Sequence, residues 1–337
     1  MRPAPWLCLL LWVSFAPAAP AAEVGTIVIS APGPHNLSYL PVDLIPKIGA
    51  DRDEGARLTI LHTGGGAVAL NNLTTRNADF AATGVPAAMS LRAGGGDVVV
   101  IAPVDDAPLF VLMVRADLAG SVKRIADLRG KVIGVNTSTR ASKTTSQQLV
   151  ELLLASDGVG PDSVRIVPAG QSWVEQSSLL ISGAADAVMG DEPFASRLLA
   201  EGRVYFLASL AEPDTIKAIR GSGFLLAALA TRAEIIATEP AKVAAMTGML
   251  RRSLIWLTSH TPDQVVEALG VTDPGERDSL LAALRKYPRA FSRDGKFSTA
   301  QFGETDLFFH AGNPGDPRAQ ALTIESMVDD RWAGRRP

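Results

Sequence analysis

The stretch Gly130–Thr145, GKVIGVNTSTRASKTT, decides how the chain is read. Its first half is an apolar, β-branched run of strand character. Its second half is a turn of Asn, Thr, Ser and one arginine, and it opens a helix expected from about Ala141 to Ser156. A strand that passes through small hydroxyls into a helix is one half of a βαβ unit.

The same rhythm extends outward in both directions. Upstream, GTIVISA, ARLTILHT and ADFAATG are short strands, each followed by a polar or glycine-rich turn and a helical stretch. Downstream, SVRIVPAG and ADAVMG behave likewise, with helices over Trp173–Ser182 and Pro193–Glu201. DVVVIAPV and APLFVLMVR lie between the two halves, and FLLAALATR adds one more strand. Beyond it the chain is mostly helical, over Ala241–Ser259, Pro262–Leu269 and Asp278–Tyr287. This pattern predicts an α/β protein with parallel sheets covered on both faces. No linker of low complexity separates the halves. Pro103–Phe110 and Arg220–Ala227, each a turn joined to a strand, are therefore expected to cross between two lobes. Lobe one would be 23–106 plus 223–337, and lobe two 107–222.

The first 22 residues, MRPAPWLCLLLWVSFAPAAPAA, read as a cleaved signal peptide. Arg2 is the positive start, Trp6–Phe15 the apolar centre, and Ala19–Ala21 the small-residue cleavage pattern. The apolar run is too short to span a bilayer. Cys8 is the sole cysteine and falls inside this leader, so the mature chain of about 315 residues excludes disulfides, thiolate metal sites and cysteine nucleophiles. Removing Arg2 takes the formal net charge from −3 to −4, which gives no basis for nucleic-acid binding. An exported, soluble, periplasmic product is expected.

Ligands of open parallel sheets bind outside the carboxyl ends of the strands. The candidate residues therefore lie in the strand-to-helix turns. These are His35, Asn36 and Tyr39; Thr63, Gly64 and Gly65; Thr83 and Gly84; Asn136, Thr137, Ser138, Thr139 and Arg140; Ser172 and Trp173; and Glu192 in GDEP. Helix N-termini offer unpaired N–H groups and partial positive charge, and hydroxyls add donors. Arg140 adds a planar fork for carboxylate, sulfonate or phosphate. Each turn read alone is better explained by helix capping, and it is the five turns of like chemistry together that point to a site. Tyr39 and Trp173 are candidate walls for a bound solute, or simply residues half-buried under a helix.

No phosphate-loop, dinucleotide-binding or nucleophile-elbow motif is present. The four histidines, His35, His62, His260 and His310, show no metal-ligand spacing. No catalytic residue, metal or cofactor is called for.

Three segments carry a family resemblance. ADLRGKVIGVNTSTRA (126–141), NADFAATGVP (77–86) and ISGAADAVMGDEP (181–193) resemble periplasmic solute-binding proteins of ABC transporters. The similarity is to the nitrate, sulfonate, taurine and bicarbonate group, which overlaps the thiamine-pyrimidine synthase-like family. It runs from about Ile27 to Ala230. The resemblance implies a type II periplasmic-binding fold, two doubly wound lobes joined by crossing hinge strands, and a small-molecule ligand closed between them. It implies an ABC permease as partner, with contact positions at His35, Asn36 and Tyr39, at Thr63 to Gly65, at Thr83 and Gly84, at Thr137 to Arg140 and near Glu192. A monomer is expected, with Arg140 as the main countercharge. The first turn, APGPHN, departs from the form expected of sulfonate or nitrate binders. A thiamine-pyrimidine-like or other aromatic solute, or service to a signalling protein, are alternative readings, and an enzyme on the same fold is a weaker one.

Overall fold

The computed structural model describes residues 24–212, 215, 217 and 219–337. The expected signal peptide, with Cys8, lies outside the described residues. Two five-stranded sheets form the framework. In the first, β1 (Gly25–Pro32) pairs in parallel with β2 (Ala56–Thr63) along its length and with β3 (Phe80–Gly84) at Ile29 and Ser30. The strands β4 (Val99–Pro103) and β10 (Ala227–Thr231) complete it in the order β2-β1-β3-β10-β4, and β10 runs antiparallel to both its neighbours.

The second sheet has the order β7-β6-β8-β5-β9. Its members are β5 (Phe110–Arg115), β6 (Val132–Val135), β7 (Arg165–Pro168), β8 (Ala187–Asp191) and β9 (Val204–Ser209). Here β6 is parallel to β7 and β8, while β5 is antiparallel to β8 and β9. The chain thus crosses from the first sheet to the second between β4 and β5, and returns between β9 and β10.

Central strands read as unbroken apolar runs because both faces are covered. Every residue of β3, β8 and β10 is buried, whereas the edge strand β7 has none buried. The covering helices include α1 (Leu40–Ile48), α2 (Ala50–Asp53), α3 (Gly66–Thr74), α4 (Val85–Ala93), α5 (Thr145–Ser156), α6 (Trp173–Ile181) and α7 (Phe194–Ala200). One buried apolar cluster runs through both sheets, with Ile29, Phe80 and Leu229 from the first and Leu112, Ile133 and Met189 from the second. The helix Pro240–Ser259 packs on α1, where the Ser253 hydroxyl donates to Pro41 O at 2.6 Å. The helix Thr299–Gly312 touches both α4 and α5, so it braces the helical layers of the two sheets against each other.

Three expectations about elements need correction. Helix α5 starts at Thr145, not Ala141. Thr144 is its N-cap, accepting from Gln147 N–H, while the hydroxyls of Ser138, Ser142 and Thr144 take up side-chain hydrogen bonds in the preceding loop. Such local bonding competes with helix. Second, β9 is present where no strand was expected. Third, the helix expected from Asp278 begins at Pro274, capped by Asp273, whose carboxylate accepts from Glu276 N–H at 2.7 Å.

The two crossings are tied together by a buried carboxylate. Ala227 N–H donates to Asp105 Oδ1 at 2.8 Å, while Asp105 Oδ2 has no partner among the described residues. Burial pushes the Asp105 carboxyl well above the usual range, and the neighbouring Asp106 adds to this, against the bond from Ala227. A raised acid contributes stability that is full below its unfolded value, near pH 4, and is lost as pH rises through its folded value. Asp105→Asn keeps the acceptor for Ala227 and cannot ionise. Its melting temperature is expected to exceed that of the natural protein at pH 7, and the difference should close near pH 4. An equal difference at both pH values would contradict this.

Candidate functional site

In each sheet the connections diverge where strand order reverses, and a crevice opens at the carboxyl ends of the strands there. The reversal lies between β1 and β3 in the first sheet and between β6 and β8 in the second. The two crevices share one cavity of ≈ 10 Å³, room for about one water. Tyr39, Gly66, Ala67, Gly84 and Ala87 line it from the first sheet's side. Asn136, Thr144, Thr145, Ser146 and Gln171 line it from the second, with Phe110 and Leu226 from the strand segments at the crossings.

Glycine permits this closeness. Thr137 N–H donates to Gly64 O at 3.1 Å, joining the two sides through backbone alone. A Cβ on Gly65 would lie 3.0 Å from Thr137 O, and one on Gly84 would collide with Thr145 Oγ1. Helices α3, α4 and α5 all start at the cavity, at Gly66, Val85 and Thr145. The first N–H groups of a helix lack intrahelical partners and carry partial positive charge.

Behind Asn136 and Gln171 sits Asp191, at the end of β8 and 3% exposed. Its carboxylate accepts from Gln171 Nε2 at 3.0 Å, Gln176 Nε2 at 2.9 Å and Asn136 Nδ2 at 3.3 Å. Asn36 Nδ2 faces it without a bond of normal geometry. Burial raises the Asp191 carboxyl, and these amides work in the opposite direction. Burial also carries the Tyr39 hydroxyl well above its ordinary value, helped by the charges of Asp105 and Asp191. Two polar atoms at the cavity lack partners among the described residues, Thr145 Oγ1 and Asn136 Oδ1. Buried polar atoms are rarely left so.

The predicted residues fall into four groups. Tyr39, Gly84 and Asn136 line the cavity. Gly64, Gly65, Thr83 and Thr137 form its walls one step behind, with Thr83 Oγ1 donating to Gly66 O at 3.2 Å. Asn36 is fully buried beside Asp191 and caps the 3-10 turn Leu37–Tyr39.

The others are engaged elsewhere. His35 Nδ1 pairs with Glu276 at 2.8 Å; burial lowers its basicity, but the Glu276 carboxylate raises it further. Thr63 Oγ1 donates to Gly65 O at 3.2 Å, Ser138 Oγ to Gln147 Oε1 at 2.9 Å, and Thr139 Oγ1 accepts from Ser142 N–H. Ser172 caps α6 in a capping box with Glu175. Trp173 lies under the Arg197 guanidinium, 4.0 Å from the ring centroid, and is not a wall of the cavity. The Glu192 carboxylate takes the Ser196 hydroxyl at 2.9 Å and the Tyr287 hydroxyl at 3.1 Å, and its backbone O accepts from Leu37 N–H at 2.9 Å, so it clasps the two sides. Arg140 is exposed and does not line the cavity. No cationic side chain among the described residues does.

Thr144, Thr145 and Ser146, just past Arg140 in the same hydroxyl run, also line the cavity and were not among the expected residues. Gln171 and Asp191 stand in turns where a site was expected, but Ser172, Trp173 and Glu192 were the residues expected there. Among the described residues there is no cluster of acids and histidines suited to a metal, and no helix is long and apolar enough to cross a membrane.

Two linked α/β units with facing crevices define the periplasmic binding protein fold, which solved structures share. A Bordetella bronchiseptica protein aligns at 22% identity over 91% of this chain and 95% of its own, with a TM-score of 0.82. The alkanesulfonate-binding protein SsuA from Xanthomonas axonopodis, bound to MOPS, aligns at 17% identity over 94% and 100%, with a TM-score of 0.70. A Candida albicans protein described as exhibiting the generic periplasmic binding protein fold aligns at 13% over 93% and 98%, with a TM-score of 0.69. Residues 52–264 match the family described as NMT1/THI5 like, and the chain belongs to that family. No curated protein matches it in sequence.

Proposed function

We propose that this chain is a periplasmic binding protein whose two sides part from the ≈ 10 Å³ cavity to admit a small anionic solute, close over it, and deliver it to an ABC permease. The closing lobes are 23–106 with 223–337, and 107–222. The observation that carries the reading is the convergence of three helix N-termini, with the unpartnered Thr145 hydroxyl, on one cavity shared by both sheets. Helix N-termini and hydroxyls bind anions without a cationic side chain. Closure removes water, which strengthens each of those bonds. The solute favours the closed state by its differential affinity for it, and that state is what a permease would read. The Xanthomonas alkanesulfonate-binding protein of the same fold supports an anionic solute. A second reading, a neutral heterocycle of the thiamine-pyrimidine type, is favoured by the lack of cationic lining and by Tyr39 at the cavity.

Thr145→Val and Arg140→Ala test the assignment together. Thr145→Val removes the hydroxyl at nearly constant volume and is expected to weaken an anion about 10-fold or more, the worth of a hydrogen bond to a charged group. Arg140→Ala is expected to change affinity by no more than about fivefold, the worth of an exposed charge. Calorimetric titration with the anion that most stabilises the natural protein reads both. A strong loss in Arg140→Ala with none in Thr145→Val would move the anion site to the rim.

A further inference from the structure

The orientation of the Asn136 side chain restricts the solute further. Asn136 is 3% exposed and lines the cavity. Its backbone N–H donates to Ser146 Oγ at 2.9 Å, which anchors the residue at the end of β6. Its Nδ2 donates to Asp191 Oδ2 at 3.3 Å. The opposite amide orientation would set the carbonyl oxygen against a carboxylate, so Asp191 holds Nδ2 inward. Asn136 Oδ1 is then left over as a buried acceptor with no partner among the described residues. Gln171 and Gln176 direct their Nε2 groups at Asp191, and neither donates to Asn136 Oδ1.

The helix starts and Thr145 offer donors, whereas Asn136 Oδ1 can only accept. We propose that the solute is a small anion that carries its own N–H or O–H group, and that Asn136 reads this group. Amino- or hydroxy-substituted sulfonates and carboxylates, and bicarbonate, belong to this class. Nitrate and simple alkanesulfonates do not. A site built to bond a solute's own donor rejects the analogue lacking it, because a buried acceptor is then left unpaired. The proposal rests on the anion reading given above.

The test is titration of the full mature chain with two matched pairs, bicarbonate against nitrate and taurine against ethanesulfonate. In at least one pair the donor-bearing member is expected to bind 10-fold or more tighter. Asn136→Leu should reduce that ratio towards one. Gln176→Leu, which also removes a donor to Asp191 but does not line the cavity, should weaken both members alike and preserve the ratio. If anions bind but neither pair shows tighter binding of its donor-bearing member, the donor requirement is overturned while the anion reading stands. A ratio that survives in Asn136→Leu also overturns the role of Asn136. If no member of either pair binds, the anion reading falls and takes this inference with it.

Discussion

Gly65→Val is expected to fold and to lose solute binding by about 100-fold or more. At Gly65 φ is 163°, extended backbone that any residue adopts, so the substitution does not strain the chain locally. The obstruction lies across the cleft. A Cβ there meets Thr137 O at 3.0 Å and Thr137 N at 3.1 Å. These are backbone atoms, which cannot rotate aside, and valine adds two methyl groups beyond the Cβ. Thr137 N–H can then no longer reach Gly64 O. With the sides held apart, the solute keeps contacts to one sheet only. Losing two charge-assisted hydrogen bonds, at roughly 1.5–3 kcal/mol each, gives the stated loss. Calorimetric titration reads the affinity, and circular dichroism checks the fold. Binding within a few-fold of the natural protein would show that closure at this point is not needed.

Asp191→Ala is expected to be the most destabilising single change at the site, by about 3 kcal/mol or more. It strands Gln171 Nε2 and Asn136 Nδ2 in a buried place and leaves Gln176 Nε2 only its long 3.5 Å bond to Gly170 O, and each unsatisfied donor costs roughly 1–3 kcal/mol. Urea unfolding should show a lower midpoint with unchanged slope. Solute binding should fall as well, because Asn136 loses the partner that fixes its amide. A loss below about 1 kcal/mol would mean that water or rearranged amides satisfy the cluster.

Much of this architecture was legible in the sequence because it is local. The apolar runs at Ile27, Phe80 and Val132 and the turns after them follow from strand period and turn chemistry, and they place Tyr39, Gly84 and Asn136 in the strand-to-helix connections. The start at Asp273–Pro274, with Glu276 in the first turn, carries a capping signal that the expectation of a helix from Asp278 overlooked. Other features depended on contacts distant in sequence. Arg140 and Thr145 stand five residues apart in one polar run. Which of them faces the cavity depends on Ser142 bonding Ala87 O, 55 residues away, and on Thr144 beginning the helix late. In sequence, Asp191 beside Pro193 has only the local character of an acid at a helix start. Its role comes from amides on three other segments that only the folded sheet brings together. Trp173 was legible as an aromatic at a turn, but not its place beneath Arg197.

The central claim is that one solute is held by both sheets at once. The most direct measurement is a thermal-shift screen of small anions and pyrimidines, run in parallel on the natural protein and on Gly65→Val. A solute at about 100 times its dissociation constant adds roughly 2.7 kcal/mol. For a chain of this size that is a rise in melting temperature of about 4 °C. The account predicts such a rise from at least one anion in the natural protein and little or none in the variant. An equal rise in both would place the solute outside the cleft and contradict it.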